Sequence, residues 1–374
     1  MSSTRFLATM LVALAVSVNA KESTVKIESE LWGQAPDGTQ VTRYRLTNRH
    51  GNSIGLTNWG ASLLEVMVPD RDGQLANVNL SFDTLEGYLG SHPHFGGTIG
   101  RFANRIAKGR FEIDGKVYEL AINNGPNHLH GGKISYDHRM WEAETFEEPN
   151  GAGVRFTLVD PAGYEGYPGT VNVVTEYRWN DDNELLIGFT ATTDATTHVN
   201  LTNHSYWNLN GAGSGSAMDH VATIHADQFL DVDATLIPTG QQNDVAGTPL
   251  DFRHPTELGA RLDQLPATNG YDHCYIVRGA AGTLRPAAKV VDPDSGRVLE
   301  IETTQPGMQL YTANHLPGNE SSAGAGGHEA FCLETQHYPD SPNQAEFPST
   351  ILRPGTTHQS TTTFQFSTRA SSGE

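Results

Sequence analysis

Residues 171–192 read Val-Asn-Val-Val-Thr-Glu-Tyr-Arg-Trp-Asn-Asp-Asp-Asn-Glu-Leu-Leu-Ile-Gly-Phe-Thr-Ala-Thr. Val171, Val173, Thr175, Tyr177 and Trp179 fall on every second position, which puts them on one face of an extended strand. Asp181, Asp182 and Asn183 supply a turn, and a second run starts at Leu185. The pattern recurs around Asp114-Gly115. Phe111 and Ile113 lead in, Tyr118, Leu120 and Ile122 follow, and Asp-Gly between alternating runs is a strong hairpin signal. Further runs lie at residues 62–68, 154–159, 221–225, 298–303 and 361–366. Helical signals are few. Asp83 with Glu86 suggests a capping box for a short turn through Leu89, and residues 255–265 fit one short helix. Neither is long enough for a crossover between parallel strands. The fold class is therefore all-β, a large antiparallel β-sandwich with few short helices.

Outside those strands the chain sets few boundaries. It has 374 residues, with 39 glycines and 19 prolines spread along it, as many short strands joined by turns require. No linker-like stretch divides residues 21–374, which read as a single domain with a frayed tail after residue 370. Arg5, the apolar residues 6–18 and Val18-Asn19-Ala20 have the form of a signal peptide spanning residues 1–20. Its removal leaves a secreted or periplasmic protein with no membrane association. The net charge of −19 disfavours nucleic acid and anionic lipid surfaces, which need clustered Lys and Arg. Cys274 and Cys332 do not make a disulfide framework; free buried thiols are the default, and a bridge stays open.

Several segments concentrate histidine, amide and carboxylate groups: Asn104-Arg105, Asn127-His128-Leu129-His130-Gly131-Gly132, Thr202-Asn203-His204-Ser205-Tyr206-Trp207, Gly270-Tyr271-Asp272-His273, Gly307-Met308-Gln309 and Leu333-Glu334-Thr335-Gln336. Two H-x-H pairs, His92/His94 and His128/His130, raise the question of a metal. Gly131-Gly132-Lys133 follows the second pair where a carboxylate ligand would be wanted, and there is no H-E-x-x-H. No metal is expected. Residues 96–100 are glycine-rich but lack a P-loop lysine, and no G-x-S-x-G elbow occurs. Acid–base work by His and Glu remains. If residues 331–334 form a strand, Glu334 shares a face with Cys332, opposite Phe331 and Leu333.

Taken in order, these segments resemble the aldose 1-epimerase (galactose mutarotase) family, from Asn58-Trp59-Gly60-Ala61 to Phe366. The resemblance implies that family's large antiparallel supersandwich, an isomerase without cofactor, and a free monosaccharide of glucose or galactose type as substrate. It places Glu334 as general base and His204 as general acid. Asn104, Arg105, His130, Asp272 and Gln309 match positions that hold sugar hydroxyls. Asp251 reads as structural. Tyr206 and Trp207 either stack on the sugar or belong to the core. A monomer or weak dimer is expected.

A hemiacetal opens when the C1 hydroxyl loses a proton and the ring oxygen gains one. Free Glu titrates near about 4.3 and free His near about 6.5. At neutral pH this predicts an ionised Glu334 and, beside a carboxylate, a charged His204. Two other readings stay open: a glycoside hydrolase using Glu334 with Asp272, and a carbohydrate-binding protein without catalysis.

Overall fold

The computed structural model describes residues 24–370, so the leader at 1–20 and the last four residues lie outside the described part. The opening motif folds as read. Strands Val171–Asn180 and Glu184–Thr193 pair antiparallel, with Trp179 opposite Leu185. Val171, Val173, Thr175, Tyr177 and Trp179 are all 0% exposed. Each large apolar side chain so buried contributes about 1.5–3 kcal/mol. Asn180 Oδ1 accepts from the Asp182 and Glu184 backbone N–H groups, and Asn183 takes a left-handed conformation (φ 60°) to close the turn. At the second hairpin Ile113 pairs with Lys116 across Asp114 and Gly115, both at positive φ, as a two-residue type I′ turn requires.

These hairpins belong to a larger antiparallel assembly. A nine-stranded sheet runs, in spatial order, Glu142–Glu148, Gly151–Asp160, Val171–Asn180, Glu184–Thr193, His358–Thr368, Arg297–Thr303, Arg285–Val291, Val221–Ile224 and Thr256–Glu257. A five-stranded sheet covers Lys26–Gln34 to Leu75–Asn77 in chain order. A second five-stranded sheet has the order Pro238–Asp244, Ala226–Val232, Asp272–Val277, Gly307–Tyr311, Cys332–Gln336. One apolar core joins all three, with Leu46, Ile54, Phe156, Trp179, Phe364, Tyr275, Met308, Leu310 and Leu333 among its members. No helix among the described residues is long and apolar enough to cross a membrane.

Three local readings need correction. The helix is Leu85–Leu89 with Thr84 at its N-cap and no capping side-chain bond, so Asp83 does not start a capping box. Residues 255–265 divide into a short strand, Thr256–Glu257, and a 3₁₀ segment, Leu258–Gln264, broken at Arg261. The alternation after Asp114-Gly115 ends as strand at Glu119; Ile122 is 44% exposed, because the chain has left the hairpin by then. Cys274 and Cys332 are buried free thiols.

The second five-stranded sheet positions the site. Met308, Leu310 and Leu333 point into the shared core. The alternate residues Gln309, Tyr311, Cys332 and Glu334 therefore lie on the other face. Gln309 stands directly opposite Glu334, and Asp272 opposite Tyr311.

Candidate active site

Two pairs of short strands fold over that face. Thr202–Asn203 pairs with Thr98–Ile99, and His204 exchanges backbone bonds with the glycines beside it: its N–H donates to the Gly97 carbonyl, and the Gly96 N–H donates to the carbonyl of His204. A Cβ on Gly96 would sit 1.9 Å from the Leu63 carbonyl oxygen, so the glycine-rich stretch serves close packing rather than phosphate binding. Arg105–Ile106 pairs with His128–Leu129 and brings Arg105 beside His130. Gly131 plays the same part there, its absent Cβ leaving room for the Gly100 carbonyl.

Pro93, His94, Asn104, Arg105, Asn124, Leu129, His130, His204, Tyr206, Asp272, Tyr311, His315 and Glu334 line a cavity of about 200 Å³. Six of the seven site residues read from the sequence are in that lining. The seventh, Gln309, adjoins it through an Nε2–H donated to Asp272 Oδ1 at 2.6 Å. A roomier hollow of about 410 Å³ lies elsewhere, bordered by Arg71, Lys289 and Asp292, and gathers none of these groups.

The residues are held tightly. His204 Nε2 lies 3.7 Å from Glu334 Oε1, with both side chains buried. The His204 ring stacks between Tyr206 (centroids 5.0 Å, 13°) and His94 (5.8 Å, 24°), while its Nδ1 meets Cys332 Sγ at 3.6 Å. Asn104 donates its backbone N–H to His130 Nδ1 at 3.2 Å, which leaves the ring proton of a neutral His130 on Nε2. Asn104, His130 and His94 all adopt left-handed backbone conformations (φ 60°, 51° and 66°), a local strain that clusters here as it does at binding sites. Arg105 donates from Nε to Asn124 Oδ1 at 3.2 Å and brings Nη1 to 3.9 Å from Asp272 Oδ2.

The electrostatics reverse the expectation drawn from free values. Burial, reinforced by the charge of Asp272 and opposed by Arg105, pushes Glu334 up to about 8. Burial and then the neighbouring His94 push His204 down to about 3. Burial thus favours a protonated Glu334 carboxyl and a neutral His204 imidazole, opposite in direction to the ionised Glu334 and charged His204 that the free values give. The free values fail because both groups leave water, and desolvation disfavours the charged form of each.

Other expectations sort cleanly. Trp207 is 0% exposed and packs on Phe364 and Phe366, so it is core; Tyr206 backs His204. Asp251 forms a two-pronged ion pair with Arg253, away from the cavity. The carboxylate missing after His130 in the sequence is supplied in space: His130, His204 and Glu334 each offer a ligand atom within 4.8 Å of the others, and so do His92, Asp137 and His138. His94, Asn124, Tyr311 and His315 were missed as lining residues. Of these only His94 carried a signal, as the second member of the His92-Pro93-His94 run.

A β-rich fold that buries Glu334 and His204 3.7 Å apart in a small cavity lined by further hydrogen-bonding side chains can do acid–base work on a small polyol. The profile of the aldose 1-epimerase family matches residues 42–365, and the chain belongs to that family. It is an isomerase that interconverts the α and β anomers of aldoses. It is 46% identical over 347 residues to the galactose mutarotase of Bos taurus, covering 92% of this chain and 99% of that one. To the aldose 1-epimerase of Escherichia coli (strain K12) it is 35% identical, over 89% of this chain and 97% of the other. Among solved structures it resembles a galactose 1-epimerase from Lactobacillus acidophilus NCFM (TM-score 0.83, 28% identity, 92% of this chain and 100% of that one).

Proposed function

We propose that one aldopyranose lies in the cavity with its anomeric end against both Glu334 and His204, and that these two side chains move both protons of the reaction. The supporting observation is the 3.7 Å approach of His204 Nε2 to Glu334 Oε1 in the cavity lining. Anomer exchange needs one group that takes the C1 hydroxyl proton and one that gives a proton to the ring oxygen. A pair holding a single proton does both, and ring closure uses each group in the opposite sense. Protonated Glu334 with neutral His204, and ionised Glu334 with charged His204, differ only in which partner holds that proton. In the empty cavity burial favours the first form. Hydroxyls of a bound sugar donate to the carboxylate and favour the second, in which Glu334 is the base and His204 the acid. Arg105, Asn104, His130, Asp272 and Gln309 hold the other hydroxyls. Their grip on the distal hydroxyls leaves C1 free to turn in the open aldehyde.

The pair loses its one proton above about pH 8, the value of Glu334, and gains a second below about pH 3, the value of His204. The kcat/KM profile is therefore a bell, with its alkaline limb near the first figure and its acid limb near the second. Glucose- and galactose-type sugars are the proposed substrates. Polarimetry on fresh α-D-glucose and α-D-galactose tests the assignment: Glu334→Gln and His204→Asn each lose at least about 10²-fold in kcat/KM. Wild-type rates in Glu334→Gln would end it. The leader at residues 1–20 supports export, checked by sequencing the mature N-terminus, with Lys21 expected first. The monomer or weak dimer is checked by light scattering.

A further inference from the structure

His94 lines the sugar cavity, yet neither the motif order nor the acid–base pair gives it a part. Its ring adjoins both of the other cavity imidazoles: it stacks on His204 (centroids 5.8 Å, 24°) and leans on His130 (5.0 Å, 60°). Behind the wall its Nδ1 meets Asp137 Oδ2 at 2.7 Å. Asp137 is 0% exposed, and His138 Nδ1 stands 3.1 Å from its other oxygen. Burial works against a charge there, but His94 and His138 outweigh it and hold the Asp137 carboxyl well below the usual carboxylate range. An ionised carboxylate only accepts, so His94 carries a proton on Nδ1 and donates it. One polar atom of the ring is left, Nε2, on a side chain that is 26% exposed. Among the described residues no hydrogen bond engages it.

The local chain keeps the ring in that pose. His94 takes a left-handed conformation (φ 66°) and opens a turn, its carbonyl accepting from the Gly97 N–H at 3.0 Å. Gly96 and Gly97 are the residues that exchange backbone bonds with His204, so the turn ties His94 to the neighbouring imidazole. Gly97 also makes room for Asp137, since a Cβ there would stand 2.4 Å from that of Asp137.

We propose that His94 is a further sugar-contacting residue, which holds through Nε2 a hydroxyl beside the anomeric end of the aldose, with the buried Asp137 as its positioning residue. This part for His94 rests on the placement proposed above, with C1 and the ring oxygen against Glu334 and His204. A ring stacked on that of His204 stands near the reacting end. The hydroxyl is therefore one that flanks it: the C2 hydroxyl, next to C1, or the C6 hydroxyl, on the carbon attached beside the ring oxygen. Nε2 accepts from a hydroxyl when the ring is neutral and donates to one when it is charged. A sugar without that hydroxyl leaves Nε2 unpaired in the filled cavity and is selected against.

The test is steady-state polarimetry with His94→Asn. The asparagine amide takes the place of Nδ1, keeps the bond to Asp137 and tolerates the left-handed backbone, but has nothing where Nε2 stood. KM for α-D-glucose is expected to rise about 10-fold with kcat changed less than about 3-fold. His94→Phe keeps the stacked ring instead and should give the same rise. The gap between either variant and wild type should close with 2-deoxyglucose or with 6-deoxyglucose and stay open with 3-deoxyglucose and 4-deoxyglucose. Asp137→Asn should raise KM in wild type and add nothing in His94→Asn, a pattern that a merely structural role would not produce. Wild-type KM in His94→Asn beside a raised KM in Arg105→Ala overturns the proposal alone; wild-type KM in both overturns the cavity reading with it. A gap of equal size for all four deoxy sugars, or one that closes only for the 3- or 4-deoxy sugar, overturns it as well. Additive rises in the double variant overturn the positioning role of Asp137.

Discussion

Asp160 and Glu334 are equally hidden from water, at 1% and 2% exposure, yet one is crowded by donors and the other nearly starved of them. Asp160 Oδ2 accepts from Arg101 Nε and from the Tyr136 hydroxyl, both at 2.8 Å. Its Oδ1 accepts from Arg139 Nη1 at 2.6 Å. Arg101 Nη1 reaches the backbone carbonyls of Pro168 and Gly169, and Nη2 donates to the Asp160 carbonyl. Glu334 has His204 at 3.7 Å from one oxygen and no hydrogen-bond partner on the other. A buried carboxylate that is fully answered holds the fold in place. One left unanswered retains the capacity to change its proton, and it faces the cavity.

Removing Asp160 should give the largest effect on stability. Asp160→Ala strands the buried Arg101 guanidinium and is expected to lower unfolding free energy by about 3–5 kcal/mol, read by denaturant titration. A loss below about 1 kcal/mol would mean that the network adds little. Glu334→Gln should move stability the other way. The folded value near 8 lies above the usual 4.5, so the native state holds this proton more tightly than the unfolded chain does. The resulting contribution is fully present below 4.5, shrinks as pH rises, and is gone above about 8. Calorimetry above pH 8 should therefore find Glu334→Gln more stable than wild type by a few kcal/mol, as a rise from 4.5 to about 8 implies, with the difference vanishing in acid. Equal stability at every pH would show that Glu334 is solvated after all. Asp227 gives the smallest effect. Its pair with Arg278 is exposed (59% and 43%), and Asp227→Asn should change stability by less than about 1 kcal/mol and respond to salt.

The contrast between Asp160 and Glu334 also marks where sequence reading stops. The hairpins at residues 171–192 and 110–119 were legible because period two and turn chemistry are local. The insertion of His358–Thr368 between Glu184–Thr193 and Arg297–Thr303 was not, since it joins strands more than fifty residues apart and no local pattern encodes it. Glu334, His204, Arg105, Asp272, His130, Asn104 and Gln309 were legible as motifs in a familiar order. His94 read only as half of an H-x-H pair, because its place beside His204 depends on the fold of the glycine stretch that follows it. The proton on Glu334 was misplaced for a related reason: identity fixes a free value, whereas the absence of donors around the second oxygen is a property of the packed chain.

Infrared difference spectroscopy of wild type against Glu334→Gln, followed across pH without sugar, reads that proton directly. A protonated-carboxyl stretch assigned to Glu334 should persist at neutral pH and disappear around pH 8. If the band is already absent at neutral pH and titrates near 4.5, the buried side chain behaves as an ordinary carboxylate, and the proton does not sit on Glu334 in the free enzyme.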